Sequence, residues 1–307
     1  MRKFAWLTVF FLVWPILLGA AAPAKKIPIL LDTDIGTDID DAFALALVVK
    51  SPELDLLGVT TVSGDTQARA RLAAKLLWEA GDRSVPVAAG VPGRPLPMEQ
   101  TRWADGFRSP QLRSMDAVTF LDQVLRRRAE KTTLVAIGPL TNVAALLTKD
   151  PRIGRKIKQI VLMGGSIAHG YGDDPNPVAE YNIASDPAAA QKVFSSGVSI
   201  LMVPLDVTAM LQLHRPGRHR VFTQLTSLTN SLAILYELWN QSTPTLFDPM
   251  AVAMALDPGL CKTKPLAVEV DANGFTRAAQ GKPPNAVVAL HTQPSTFFDF
   301  YLKRVAP

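Results

Sequence analysis

One cysteine, Cys261, stands in 307 residues, so no intramolecular disulfide can form and no thiolate zinc site can be assembled. The same scarcity excludes a lipidated cysteine near the amino terminus. Long hydrophobic runs are nearly absent as well. Past residue 24 no stretch reaches the ~20 apolar residues that a transmembrane helix needs. There is no internal repeat and no low-complexity linker, which leaves out solenoids and tethered modules. The glycine signature of dinucleotide sites is missing: Val161–Ser166 ends in Gly164-Gly165-Ser166, not GxGxxG. Net charge is +5, yet the densest basic stretch, His214–Arg220, has no interleaved aromatic residue. It reads as a solvated loop, not a nucleic-acid surface.

The first residues form a separate unit. Arg2 and Lys3 precede the apolar run Phe4–Leu18, and small residues follow over Gly19–Ala24. Basic start, apolar middle and small-residue end describe a secretory signal peptide, residues 1–24, with cleavage after Ala22 or Ala24. The competing reading is an uncleaved membrane anchor, for which the run is short. After signal removal, 25–307 is expected to be one exported domain with no stable membrane insertion.

From Ile27 onward, β-branched apolar runs alternate with amphipathic stretches. The pattern predicts strands over Pro28–Asp32, Leu54–Val62, Val85–Ala89, Thr133–Ile137, Gln159–Met163, Ser199–Pro204 and Leu266–Val270. Helices are predicted over Asp40–Lys50, Thr66–Ala80, Asp116–Ala129, Thr141–Lys149, Pro187–Ser195, Leu228–Gln241 and Pro249–Leu256. Repeated strand–helix units imply an α/β fold: a Rossmann-like, open, mostly parallel sheet with helices on both faces. Gly90–Pro97 and His169–Pro177 read as long loops within that domain.

The most telling segment follows the first strand. Asp32, Asp34, Asp38, Asp40 and Asp41 place five carboxylates within ten residues, at a turn containing Gly36. Packed like charges repel, and a bound hard cation with oxygen ligands offsets the repulsion. The alternative, helix capping, needs one aspartate and not five. Such a turn sits where open α/β sheets bind ligands. Further along, Val135–Asn142 reads as strand, Gly-Pro turn and helix. Its Ile137 carbonyl is offered at a strand end. Glu180 and Asn182, two apart on an extended segment, suit hydrogen bonds to a polyhydroxylated ligand. Asp186-Pro187 reads as a helix cap, and Asp248-Pro249 as either a cap or a further carboxylate for the same cation.

Taken together, these residues resemble the inosine–uridine-preferring nucleoside hydrolase family. The likeness runs through Asp32–Asp41, Val62-Ser63-Gly64-Asp65, Gly138–Asn142, Met163-Gly164-Gly165, Ala179–Ile183 with Asp186-Pro187, and Asp248-Pro249. It implies hydrolysis of the N-glycosidic bond of ribonucleosides with one Ca²⁺. By resemblance, Asp34 is a metal ligand and the general base, and Asp41, Asp248 and the Ile137 carbonyl complete the metal set. Asp40, Glu180, Asn182 and Asn176 contact the ribose. Asp65, where many members carry Asn, is a less regular sugar contact. The resemblance also implies a small ribonucleoside as partner and a homodimer or homotetramer as assembly.

This chain departs from the pattern at the leaving group. Phe247 stands where many members carry His before the Asp-Pro pair, and Trp103 occupies another position where His is common. Trp103, Tyr236 and Trp239 are expected to stack the nucleobase instead, with ordinary core packing of the last two as the alternative. His214 or His219 could supply a proton. Two other functions remain open at this point. One is an exported calcium- and ribose-binding protein without catalysis. The other is a haloacid-dehalogenase-type phosphatase with Asp32 as nucleophile.

Overall fold

The computed structural model describes residues 25–307, so the expected signal peptide lies outside the described residues. The elements, in chain order, are β1 (Ile27–Thr33), α1 (Asp40–Val49), β2 (Leu54–Thr61), α2 (Thr66–Glu79), β3 (Val87–Ala89), β4 (Leu112–Arg113), α3 (Ala117–Arg127), β5 (Thr132–Ala136), α4 (Thr141–Lys149) and β6 (Ile157–Met163). There follow α5 (Tyr181–Ala184), α6 (Pro187–Phe194), β7 (Ile200–Val203), α7 (Leu205–Thr208), α8 (Arg215–Phe222), α9 (Ser227–Trp239), α10 (Phe247–Leu256), β8 (Cys261–Val270), β9 (Thr276–Ala279), β10 (Ala286–Thr292) and α11 (Pro294–Val305).

Among the described residues, ten strands form one sheet in the order β4-β3-β2-β1-β5-β6-β7-β10-β8-β9. Pairing is parallel from β4 to β10 and antiparallel for β10–β8 and β8–β9. The central strands are buried on both faces, which is why they read as continuous apolar runs. In β1, Ile29 and Leu31 join the core beneath α1, α2, α10 and α11, while Leu30 joins the opposite core with α3, α4 and α6. The chain leaves β1 toward β2, β3 and β4, then returns to start β5 on β1's other side. That reversal is a topological switch point, and the crevice beyond its carboxyl-terminal edge is where such folds bind ligands. Helices α1 and α10 lie against each other over β2, β5 and β6; both are apolar around nearly their whole circumference, as buried helices must be.

The structure corrects several expectations. The basic stretch His214–Arg220 is largely helical: α8 covers Arg215–Phe222 with Pro216 in its first turn, where a missing N–H costs nothing. Asp248 is not a cap, because α10 begins one residue earlier, behind Leu246. The strand expected at Leu266–Val270 starts at Cys261, and β9, β10 and α11 were not anticipated. Asp186 does cap α6, accepting from the Ala189 N–H at 3.0 Å. Both expected long loops are loops. Among the described residues no helix is long and apolar enough to cross a membrane.

Candidate active site

A cavity of about 290 Å³ opens at the switch point. Asp34, Asp38, Asp40, Asp41, Glu180 and Asp248 make it acidic, with the Asn182 amide beside them; Tyr171, Tyr181, Phe247, Leu96 and Met163 form its apolar part. The acidic turn enters from β1, Ile137 from the end of β5, and Met163 from the end of β6. Asp40 and Asp41 occupy the first turn of α1, and Asp248 the first turn of α10. These two helix amino termini converge, and their exposed N–H dipoles favour negative charge there. The Asp248 N–H donates to Asp40 Oδ2 at 3.1 Å, joining residues 208 positions apart. One carboxylate oxygen each from Asp40, Asp41 and Asp248 lies within 4.8 Å of the others.

Several buried groups hold this arrangement. Asp41 accepts from the Thr33 hydroxyl. Asp32 points away from the cavity: its Oδ1 accepts from Thr60 Oγ1 at 2.5 Å and Asn142 Nδ2 at 2.8 Å. The Ile137 N–H donates to the Asp32 carbonyl at 2.8 Å, tying β5 to β1 at the rim. Gly138 explains part of the Gly-Pro-Leu-Thr-Asn motif, since a Cβ there would lie 2.9 Å from Asp34 Oδ1 and 3.0 Å from the Asp34 nitrogen.

Arg69 was not singled out from sequence, yet it is fully buried behind the acidic turn. Its guanidinium donates to the Asp34 carbonyl, to the Ile35 carbonyl at 2.9 Å and to the Ser63 carbonyl at 2.8 Å. Its remaining nitrogen stands 4.0 Å from Asp34 Oδ2. The signal was present: Arg69 shares a helical stripe with Leu72, Ala73 and Leu76, so a charge sits on an otherwise apolar face.

Electrostatics follow from this burial. Burial, only partly offset by Arg69, raises the Asp34 pKa to about 6. Asp32 is raised to about 7, again chiefly by burial. Asp40, Asp41 and Asp248 are pushed well above the usual carboxylate range by burial and then by the charge of neighbouring aspartates: Asp38 first for Asp40, Asp34 for Asp41 and Asp40 for Asp248. Glu180 is raised by burial despite accepting from Gly165 N–H at 2.8 Å, Asn182 N–H at 2.9 Å and Ile183 N–H at 3.1 Å. Asn182 donates to the Ile137 and Met163 carbonyls, each at 3.1 Å, leaving its own carbonyl oxygen as a free acceptor. Clustered carboxylates that resist ionisation for want of a counter-charge are the donor set that a hard divalent cation fits; nitrogen and sulfur donors favoured by softer metals are not offered in the cluster.

Asp34, Asp40, Asp41, Ile137, Glu180, Asn182 and Asp248 therefore meet in one place. Five other candidates do not line the cavity. Asp65 is exposed and caps α2, accepting from the Ala68 N–H at 2.9 Å. Asn176 is exposed on the loop before α5 and donates to Asp174 Oδ1 at 3.2 Å. Trp103 packs on the core from a 3-10 turn, with Lys75 Nζ 4.2 Å above its ring. Tyr236 and Trp239 lie on α9, where Tyr236 packs on Phe222 and donates to the Ser242 carbonyl at 2.7 Å. The aromatic residues that do line the cavity are Tyr171, Tyr181 and Phe247; the first two were not singled out. His214 and His219 are not among the lining residues.

Fold and site together define an α/β enzyme whose acidic, oxygen-lined cleft suits a hard cation and a polyhydroxylated substrate. The chain belongs to the inosine-uridine preferring nucleoside hydrolase family, whose sequence pattern matches residues 29–299. A pyrimidine-specific ribonucleoside hydrolase, RihA, of Citrobacter koseri is 33% identical across 91% of this chain and 98% of its own. A non-specific ribonucleoside hydrolase, RihC, of Escherichia coli is 37% identical across 86% of this chain and 93% of its own. Among solved structures, a plant nucleoside hydrolase, the PpNRh1 enzyme, superposes with a TM-score of 0.81 at 26% identity, covering 92% of this chain and 99% of that one.

Proposed function

We propose that this protein hydrolyses ribonucleosides to free base and ribose with Ca²⁺ as its resident cation. The observation that carries this reading is the convergence of Asp40, Asp41 and Asp248 on the wall of a cavity that also holds Asp34. The cation would be held by Asp41, Asp248, Asp34 and the Ile137 carbonyl, with Asp40 adjoining. Several carboxylates with a backbone carbonyl suit Ca²⁺, which accepts many oxygen ligands in flexible geometry. When bound, such a cation supplies electrostatic activation of water and a grip on vicinal hydroxyls.

The chain's own residues supply the rest. Asp34, buried in the cavity wall, is the carboxylate placed to take a proton from water. Arg69 fixes the turn that carries it. Glu180 has both oxygens anchored by backbone N–H groups and keeps capacity for a sugar hydroxyl, as does the Asn182 carbonyl oxygen. The carboxylates around the sugar favour the positive charge that develops on its anomeric carbon as the bond breaks. With the sugar at the acidic end, the base lies against Tyr171, Tyr181 and Phe247. The two enzyme relatives differ in base scope, so the base this chain prefers is a matter for assay.

The test is a panel of purine and pyrimidine ribonucleosides, with and without chelator. Free base and ribose should appear, turnover should stop on cation removal, and Ca²⁺ should restore it. Absence of any turnover in Ca²⁺-loaded protein would refute the catalytic reading. Tight nucleoside binding in that sample would select the binding-only alternative, which the lack of a lining imidazole favours. The phosphatase alternative has no geometric support, because Asp32 is fully buried and turned toward Thr60 and Asn142. Residues 1–24 are proposed as an export signal, which sequencing the mature amino terminus checks. A homodimer or homotetramer is the expected assembly, read out by light scattering.

A further inference from the structure

Cleaving a glycosidic bond leaves an electron pair on the departing base, and a hydrogen-bond donor there lowers the barrier. No imidazole lines this cavity, so another side chain must serve. Its neutral donors are few. Asn182 Nδ2 already faces two carbonyls, and Thr37 Oγ1 faces the Asp34 carbonyl at 3.4 Å. Two phenols remain, Tyr171 and Tyr181.

Tyr171 is the better placed. Its ring meets Phe247 edge-on, with centroids 6.0 Å apart and planes at 83°. Phe247 immediately precedes Asp248, so the phenol stands beside the acidic cluster at the aromatic end of the cavity. The Tyr171 oxygen accepts the Tyr181 N–H at 2.9 Å. That bond fixes the hydroxyl and, by polarising it, strengthens its own O–H as a donor. The proton is retained, because burial and the nearby Glu180 charge push the phenol above its ordinary pKa. Exposure does not separate the two phenols, 43% for Tyr171 and 46% for Tyr181, but Tyr181 also lines a neighbouring cleft around Arg94.

Resting on the nucleoside-hydrolase reading above, we infer that Tyr171 is the catalytic residue that hydrogen-bonds the leaving base. In this step the C1′–N bond breaks and its electron pair stays on the base, which accepts the Tyr171 O–H hydrogen bond. The water oxygen bonds C1′, the water proton passes to Asp34, and that proton reaches the base through solvent. The base leaves neutral and the phenol ends unchanged.

The experiment compares wild type, Tyr171→Phe and Tyr236→Phe on uridine, inosine and 4-nitrophenyl β-D-ribofuranoside. The nitrophenolate needs no donor to depart. Tyr171→Phe should lower kcat on both nucleosides by about 10²-fold and leave kcat on the nitrophenyl riboside nearly unchanged, while Tyr236→Phe, outside the cavity, should change neither. A purely structural role, through loss of the acceptor for the Tyr181 N–H, would depress all three substrates alike and overturn the assignment. Undiminished nucleoside turnover in Tyr171→Phe would overturn it too. If wild type cleaves none of the three substrates, the nucleoside-hydrolase reading itself fails; if wild type cleaves them and Tyr171→Phe loses nothing, only the role of Tyr171 fails.

Discussion

Neutralising one carboxylate of the cluster should stabilise the protein in one condition and weaken it in another. Among the described residues no protein group donates to the Asp248 carboxylate, so Asp248→Asn removes charge without breaking a hydrogen bond. Two unit charges 4.8 Å apart repel by about 3.5 kcal/mol at an effective dielectric of 20. The raised pKa values mean that the cluster keeps part of its protons, so the net relief at pH 8 is set at about 1–3 kcal/mol. For a chain of this size that is roughly 2–6 °C in Tm.

The sign with pH follows from linkage. These groups have folded pKa values above their unfolded ones, so the folded state binds more protons. Their contribution is favourable below the unfolded value of 3.8 and is lost as pH rises through the folded values, about 6 for Asp34. Cation-free wild type should therefore lose stability between pH 4 and 8, and the advantage of Asp248→Asn should grow over the same window. Saturating Ca²⁺ reverses the order. At about 100 times Kd it adds about 2.7 kcal/mol to wild type and far less to the variant. Thermal melts at pH 5 and 8, in chelator and in Ca²⁺, read all four corners. A variant that melts below wild type in chelator at pH 8, or that keeps the whole Ca²⁺ shift, refutes the reasoning.

Asp34→Asn should lower kcat by about 10²–10⁴-fold without lowering Tm in chelator, measured by base release and melting. Arg69→Met should cost about 3–5 kcal/mol, because it leaves a buried turn and its carboxylate without their cation; Arg69→Lys should recover only part, since an ammonium cannot reach three carbonyls in fork geometry. Denaturant titration checks both. Burial pushes the Cys261 thiol up to about 11, so little thiolate exists at pH 8. A disulfide reagent should label it slowly in the native protein and at once after unfolding; rapid native labelling counts against the buried placement.

The central sheet was legible because parallel strands buried on both faces leave unbroken apolar runs, as Ile29–Leu31 and Ile160–Met163 do. The carboxyl-terminal part was harder. β8, near the sheet's edge, mixes Lys262, Thr263 and Lys264 with apolar residues, β9 has only four residues, and α8 carries few apolar side chains. In the site, the acidic turn and Asp248 were readable because concentrated charge demands an explanation wherever it lies. The two tyrosines that line the cavity were not. Tyr171 reaches the cavity on a loop whose path depends on remote tethers: Thr276 Oγ1 receives the Ser166 N–H at 2.8 Å, 110 residues away, and Asp206 receives the Ile167 and Ala168 N–H groups, both at 2.8 Å. Periodicity places a residue on a face of its own element and says nothing of where a distant loop returns. Trp103, Tyr236 and Trp239 had only their residue type to suggest stacking, and packing within their own part of the fold claimed them.

The contact between Asp40 and Asp248 gives a disulfide-free chain something close to a staple. A cation gripped by both ends would close a circuit of 208 residues. By the arithmetic used for covalent cross-links, restricting the unfolded chain that far is worth on the order of 5 kcal/mol. Unlike a cystine bridge, such a clasp would be indifferent to reductants and would come undone in a chelator.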